Sequence, residues 1–226
     1  MSARITAALR AEASRLSSEL TGLTAADWAR PTDCPPWTVA DLLGHVVTIL
    51  AWIPDMLSAP APPRADVDAA GYYRADDRFS EAGNAARVEL ARDRAARAGG
   101  GPALAASFHR TWRHVLTLCE REPAARVVRT RHGDAMLLSD FLLTRVVEVG
   151  VHGLDLAAAL NRPPWLTPEA AAALSDLLLP DGGPAALTRL GWDPVTFVRK
   201  ASGRAALSAA DRDRVEASGL RWLALG

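Results

Sequence analysis

One stretch restricts the fold more than any other, the run "LSDFLLTRVVEVGVHGLDLAAAL" at 138–160. It contains no proline and its apolar side chains fall on nearly every face of a helix, the pattern of a rod buried inside a larger helical assembly. Ser139 is placed to cap its start, and Asn161 before "RPPW" to end it. At 1.5 Å per residue the rod is roughly 33 Å long. Glu148, His152 and Asp155 stand inside this aliphatic run. Such groups are costly to bury unless something satisfies them. They are therefore surface residues, an internal salt link, or ligands for a metal.

The rest of the chain reads as further helices. Ile5, Leu9, Leu16 and Leu20 recur at helical spacing over 3–21, with Gly22 as a stop. Thr24 and Asp27 form a capping-box pattern ahead of Trp28, followed by the proline-rich turn "RPTDCPPW". Thr38 and Asp41 repeat the capping box at the head of a second apolar helix, with Trp37 positioned to staple onto Leu42. That helix extends to about Leu57, bent by Pro54. Residues 58–80 read as a long loop. A third helix is split by "GGGP" at 99–102, and 126–138 holds either an extended stretch or a loop. Beyond 165 come three short helical patterns, "TPEAAAALSDLLL", "PVTFVRKASG" and "SAADRDRVEASG". There is no βαβ rhythm and no internal repeat. The expectation is an all-α chain, with a four-helix bundle over 1–162 and a small, mainly helical C-terminal cap over 163–226.

Acidic and basic residues balance at 26 each, so no global charge draws the chain to nucleic acid or an anionic membrane. No uncharged apolar run reaches the ~20 residues needed to span a bilayer. The N-terminal segment has charges among its apolar positions, unlike a signal peptide. Cys34 and Cys119 form no disulfide framework and neither has a CxxC partner. Both read as inert, and a reducing cytoplasm is the expected compartment. No exposed apolar stripe declares an oligomeric state.

Glu148 and His152 are four residues apart, about 40° apart on one helix face and separated by one turn. His45 lies within the other strongly apolar helix. Facing helices of a bundle build metal sites from inward side chains. His45, Glu148 and His152 together offer two nitrogens and one carboxylate oxygen. That set suits Zn²⁺ with an open fourth position, and Ni²⁺ or Fe²⁺ would accept it too. Asp41, four residues before His45, and Asp155, three after His152, are each placed to take a second imidazole N–H. Arg145, one turn before Glu148, can pair with that carboxylate or contact an anionic substrate group. His109 and His114 fall on different faces, and His132 sits in a turn.

The segment "LTAADWARPTDCPPWTVADLLGHV", 23–46, resembles the N-terminal signature of the mycothiol-dependent maleylpyruvate isomerase family, within the DinB-like superfamily of metal-binding four-helix bundles. The segment "RVVEVGVHGLDLAAAL", 145–160, resembles the family's second motif. The likeness anchors roughly 1–162. It implies that His45, Glu148 and His152 hold a metal, usually zinc, and that the thiol mycothiol uses the open position. The element "KASGRAAL" resembles a "GR" element of the family and makes Arg204 a candidate anion contact. The tail here is shorter than in the isomerase itself.

The implied function is a metal-dependent enzyme that uses a low-molecular-weight thiol on a small electrophile, by S-transfer or cis–trans isomerisation. Metal coordination ionises a thiol that is otherwise a poor nucleophile at neutral pH. The alternatives are a non-enzymatic metal- or ligand-binding bundle and a metal-dependent hydrolase. The hydrolase would need a general base, for which Asp134 and Asp140 are candidates.

Overall fold

The computed structural model of the chain describes residues 3–74, 80–179 and 183–222. Its helices are α1 (Ala3–Glu19), α2 (Ala25–Trp28), α3 (Val39–Ala51), α4 (Ile53–Ser58), α5 (Glu81–Arg97), α6 (Gly101–Cys119), α7 (Leu138–Ala159), α8 (Pro168–Leu178), α9 (Gly183–Leu190), α10 (Pro194–Ala201) and α11 (Ala209–Glu216). A two-stranded antiparallel hairpin, β1 (Val127–Arg129) and β2 (Ala135–Leu137), pairs Val128 with Met136.

Both capping boxes form. Thr24 and Thr38 each accept from the backbone N–H three residues on, and the Asp27 and Asp41 carboxylates accept in return from the cap backbone. Each satisfies N–H groups that a helix start otherwise leaves unpaired. Gly22, with φ 74°, supports the chain reversal after α1. Gly99 and Gly100, with φ 81° and 118°, break the third helix into α5 and α6.

Helices α1, α3, α6 and α7 form the bundle, with α1 against α6 and α7, and α3 against α6 and α7. Leu42, Leu43, Val46, Leu50, Val146 and Leu156 are fully buried along the two central rods. Each such side chain contributes about 1.5–3 kcal/mol of transfer free energy, which offsets the cost of the polar groups they carry. Helix α5 packs on α3, and Ala91 is its one buried residue among those described. A Cβ on Gly44 would lie 2.4 Å from the Ala91 carbonyl oxygen, so the close approach of α5 beside His45 depends on Gly44. Val39–Ser58 is long and apolar enough to cross a membrane by length and composition, yet 67% of its most apolar window is buried inside the protein.

Two expectations change, and one left open is decided. Ser139 does not cap α7. The helix starts at Leu138 with no side-chain cap, and Leu138 N–H donates to the Arg126 carbonyl at 2.8 Å. The hairpin thus supplies an acceptor that sequence reading assigned to a side chain. The extended-or-loop stretch at 126–138 resolves into that hairpin. The tail also contains α9, a short Ala/Leu helix missing from the predicted three. Of the predicted loop, Ser58 ends α4 and 59–74 is irregular apart from a 3-10 turn at Gly71–Tyr73, while 75–79 lie outside the described residues. Helix α8 packs on α1 and α7, and α10 on α8 and α7. Leu174, Phe197 and Val198 belong to the same apolar cluster as Leu42 and Val146.

Candidate metal centre

Helix α3 carries His45 inward, and α7 brings Glu148 and His152 to meet it. His45 Nε2 lies 3.3 Å from Glu148 Oε2, and His152 Nε2 lies 3.4 Å from the same oxygen. One ligand atom from each of the three falls within 4.8 Å of the other two. These separations exceed the ~2.7–2.9 Å of a charge-assisted hydrogen bond. They match the ~3.3 Å edge expected between two donors of one tetrahedral cation with bonds near 2.05 Å. The three residues therefore fit a divalent metal by donor chemistry and by spacing.

The turn before α3 forms one wall. Thr32 N–H and its hydroxyl both donate to the Trp37 carbonyl, at 3.0 and 2.8 Å, and Cys34 N–H donates to Thr32 Oγ1 at 3.2 Å. This holds the Trp37 ring stacked on His45, with centroids 4.9 Å apart and planes 26° apart, and edge-on to His152. The sequence assigned Trp37 only a staple role.

At His45 and Glu148 the electrostatics suit ligation, whereas His152 must give up a proton to a metal. Burial pushes the His45 pKa down to about 4, against a smaller upward pull from Glu148, so the ring is neutral with a lone pair to give. Burial alone would raise the Glu148 pKa. Hydrogen bonds with His152 and His45 and the charge of Arg145 outweigh burial and hold it well below the ordinary carboxylate value. Burial likewise opposes charge on His152, but its partners Asp155, Cys34 and Glu148 reverse this and raise its pKa well above normal. Glu148 is thus an ionised carboxylate between two imidazoles.

His152 is oriented from behind. Its Nδ1 lies 3.0 Å from Asp155 Oδ2, which leaves Nε2 facing Glu148. Asp155 is 2% exposed and also accepts from Arg204, Nε to Oδ1 at 3.0 Å and Nη2 to Oδ2 at 3.2 Å. Arg204 therefore reaches the site, with its fork held by Asp155. Cys34 Sγ donates to Asp155 Oδ2 at 3.2 Å, so the cysteine dismissed from its turn context stands beside the cluster. It is the member that sequence reasoning missed, because the contact spans 121 positions. Asp41 does not meet His45. Its carboxylate is engaged in the Thr38 capping box, a local bond already complete at the helix start. Arg145 is 1% exposed and forms no ion pair with Glu148 among the described contacts, donating instead to Thr144 Oγ1.

The triad opens onto a cavity of about 870 Å³ lined also by Cys34, Trp37, Tyr72, Arg131, Arg145 and Arg204. Asp134 and Asp140 are not among its lining residues. Asp134 accepts from Arg74 at 2.7 Å, and Asp140 borders a separate shallow pocket. The hydrolytic reading loses its candidate bases.

The sequence profile of the mycothiol maleylpyruvate isomerase N-terminal domain family matches residues 9–157. The chain belongs to this family. The match covers every helix of the bundle that carries a triad residue, and the DinB-like fold expected from the sequence is the one observed. Two solved structures share that fold. A mycothiol-dependent maleylpyruvate isomerase aligns over 79% of this chain and 71% of its own, with TM-score 0.52 and 18% identity. A histidine-to-alanine mutant of that enzyme aligns over the same shares, with TM-score 0.52 and 17% identity. Uncharacterized proteins from two strains of Mycobacterium tuberculosis are 28% identical over 96% of this chain and 91% of theirs. The whole-length relatives thus come without a stated activity.

Proposed function

We propose that this family member is a metal-dependent enzyme in which His45, Glu148 and His152 hold a divalent cation, zinc by preference, and mycothiol acts on a small electrophile within the 870 Å³ cavity. The observation that carries the reading is the convergence of two imidazole nitrogens and one carboxylate oxygen on a single point that faces open space. A bound cation of this kind lowers the pKa of a thiol at its open position and keeps it nucleophilic at neutral pH.

The chain's own residues do the remaining work. Neutral His45 presents a lone pair, and Asp155 fixes the ring orientation of His152. Trp37 covers the imidazoles and keeps water from one side of the cluster. Arg204 holds Asp155 in place at the cavity wall. Thiolate addition to an electrophilic double bond, rotation, and loss of the same thiol give cis–trans isomerisation. Retention of the new C–S bond, with a proton delivered to the adjacent carbanion, gives the thiol adduct of an S-transferase. The cytoplasm is the compartment that fits this thiol chemistry.

The test combines elemental analysis with calorimetric titration by mycothiol. Wild-type protein is expected to hold about one metal ion per chain and to bind the thiol saturably. His45→Ala and His152→Ala are expected to lose most of the metal and the thiol affinity with it. Full metal content in both variants contradicts the reading.

A further inference from the structure

We propose that Cys34, His152 and Asp155 form a second metal site on the cavity wall, one that takes a thiophilic cation and competes with the triad for His152. The site stands on its own three donors. Only the competition rests on the metal-centre reading above.

One ligand atom from each of Cys34, His152 and Asp155 lies within 4.8 Å of the other two. Asp155 Oδ2 is the hub, 3.2 Å from Cys34 Sγ and 3.0 Å from His152 Nδ1. A tetrahedral cation with bonds of about 2.3 Å to sulfur and about 2.0 Å to nitrogen and oxygen has edges of about 3.5 and about 3.3 Å. The donors therefore need to spread by only about 0.3 Å to accept one. The side chains of His152 and Asp155 are 10% and 2% exposed. All three residues nonetheless line the cavity, so a cation reaches them without opening the bundle.

The donor set differs in kind from that of the triad. Here a thiolate joins one imidazole nitrogen and one carboxylate oxygen, and sulfur selects a soft cation. Thiolate and carboxylate together cancel the charge of a divalent ion. Arg204 Nε donates to Asp155 Oδ1 at 3.0 Å, which keeps Oδ2 turned toward Cys34 and His152. The bond from Arg204 Nη2 to Oδ2, at 3.2 Å, is the one the cation displaces. Cys119, fully buried on α6, belongs to no such group among the described residues.

On loading, three bonds form, from the cation to Sγ, Nδ1 and Oδ2. The Cys34 thiol proton and the His152 Nδ1 proton leave to solvent. His152 keeps its other proton on Nε2, which faces Glu148 Oε2 at 3.4 Å. A neutral imidazole has one lone pair. Once it is used at Nδ1, the triad is reduced to His45 and Glu148 and releases its own cation. The turn that carries Cys34 thereby makes the centre sensitive to soft metals.

The experiment titrates the protein as purified with cadmium ion. Sulfur-to-cadmium charge-transfer absorption in the ultraviolet reads the new site, and a chromogenic chelator reads released zinc. Wild-type protein is expected to bind cadmium saturably, to show the band and to release its zinc. Cys34→Ser is expected to lose the band, keep its zinc and bind cadmium at least about tenfold more weakly. Cys119→Ala should match the wild type. His45→Ala should keep the band and a cadmium affinity within about threefold of the wild type. A band that is absent from the wild type, or that survives in Cys34→Ser, overturns the proposal. So does a band that appears with the zinc still in place. Loss of the band in His45→Ala also overturns it, because Cys34 would then be a fourth ligand of the triad cation. If Cys34→Ser does not fold, Asp155→Asn decides, and cadmium affinity there within about threefold of the wild type overturns the proposal. A Cys34-dependent band in a protein that never held zinc would instead sink the triad reading and leave this site standing.

Discussion

Glu12 of α1 and Glu148 of α7 both point into the apolar interior of the same bundle, and the chain answers them differently. Glu12 is fully buried, and its Oε2 accepts from Thr167 N–H and Oγ1 at 2.8 and 2.7 Å. Burial dominates there and raises its pKa. Its task is mechanical, tying the first turn of α8 to α1. Glu148 leaves 19% of its side chain open to the cavity and meets two imidazoles instead of backbone. Those partners overcome burial and lower its pKa. A buried carboxylate therefore does not identify a site. What separates the two is convergence of lone pairs beside open volume.

The largest expected effect breaks that contrast at the cavity. Glu148→Gln should lower metal content to below about a tenth of an ion per chain while the helical circular dichroism persists. Full metal content would put Glu148 in the same class as Glu12.

Asp155→Asn should act on both properties. It removes the carboxylate charge that faces Arg204, which costs about 3 kcal/mol, and it weakens metal affinity about 10- to 100-fold. The folded-state pKa of Asp155 is depressed, chiefly because His152 and Arg204 outweigh burial. Its stabilisation is present above the ordinary value of 3.8 and is lost as pH falls toward the folded value. Chemical denaturation should therefore show the full difference at pH 7 and a shrinking one below pH 4.

Glu12→Ala sharpens the other side. It orphans the Thr167 donors and should cost about 2 kcal/mol, with metal content unchanged. Metal loss there would mean that the centre depends on the α1–α8 seam.

The smallest effect distinguishes the cysteines. Burial pushes the Cys119 thiol up to about 12, so it should resist iodoacetamide at pH 8 in the folded chain. Cys34, half-buried on the cavity wall, should be alkylated. Peptide mass mapping reads the two sites separately.

Much of this was legible in the sequence because it is local or periodic. Thr24 with Asp27 and Thr38 with Asp41 announce helix starts through bonds that span three residues. Glu148 and His152 share a face by helical spacing alone, and His45 stands out as a polar group in an apolar rod. What stayed hidden depends on tertiary placement. The Arg126 carbonyl that meets the start of α7 lies just ahead of β1, twelve positions away in sequence. Cys34 meets Asp155 only because the proline turn folds back across α7. Asp41 was open to two readings, and the local cap took it. Helix α9 spans only eight residues, about two turns, too short for a periodic pattern to declare it.

X-ray absorption at the zinc edge tests the central claim most directly. The account predicts two imidazoles and one carboxylate oxygen at about 2.0–2.2 Å, with one sulfur appearing at about 2.3 Å when mycothiol is added. A spectrum without imidazole scattering, or one that mycothiol leaves unchanged, would contradict it.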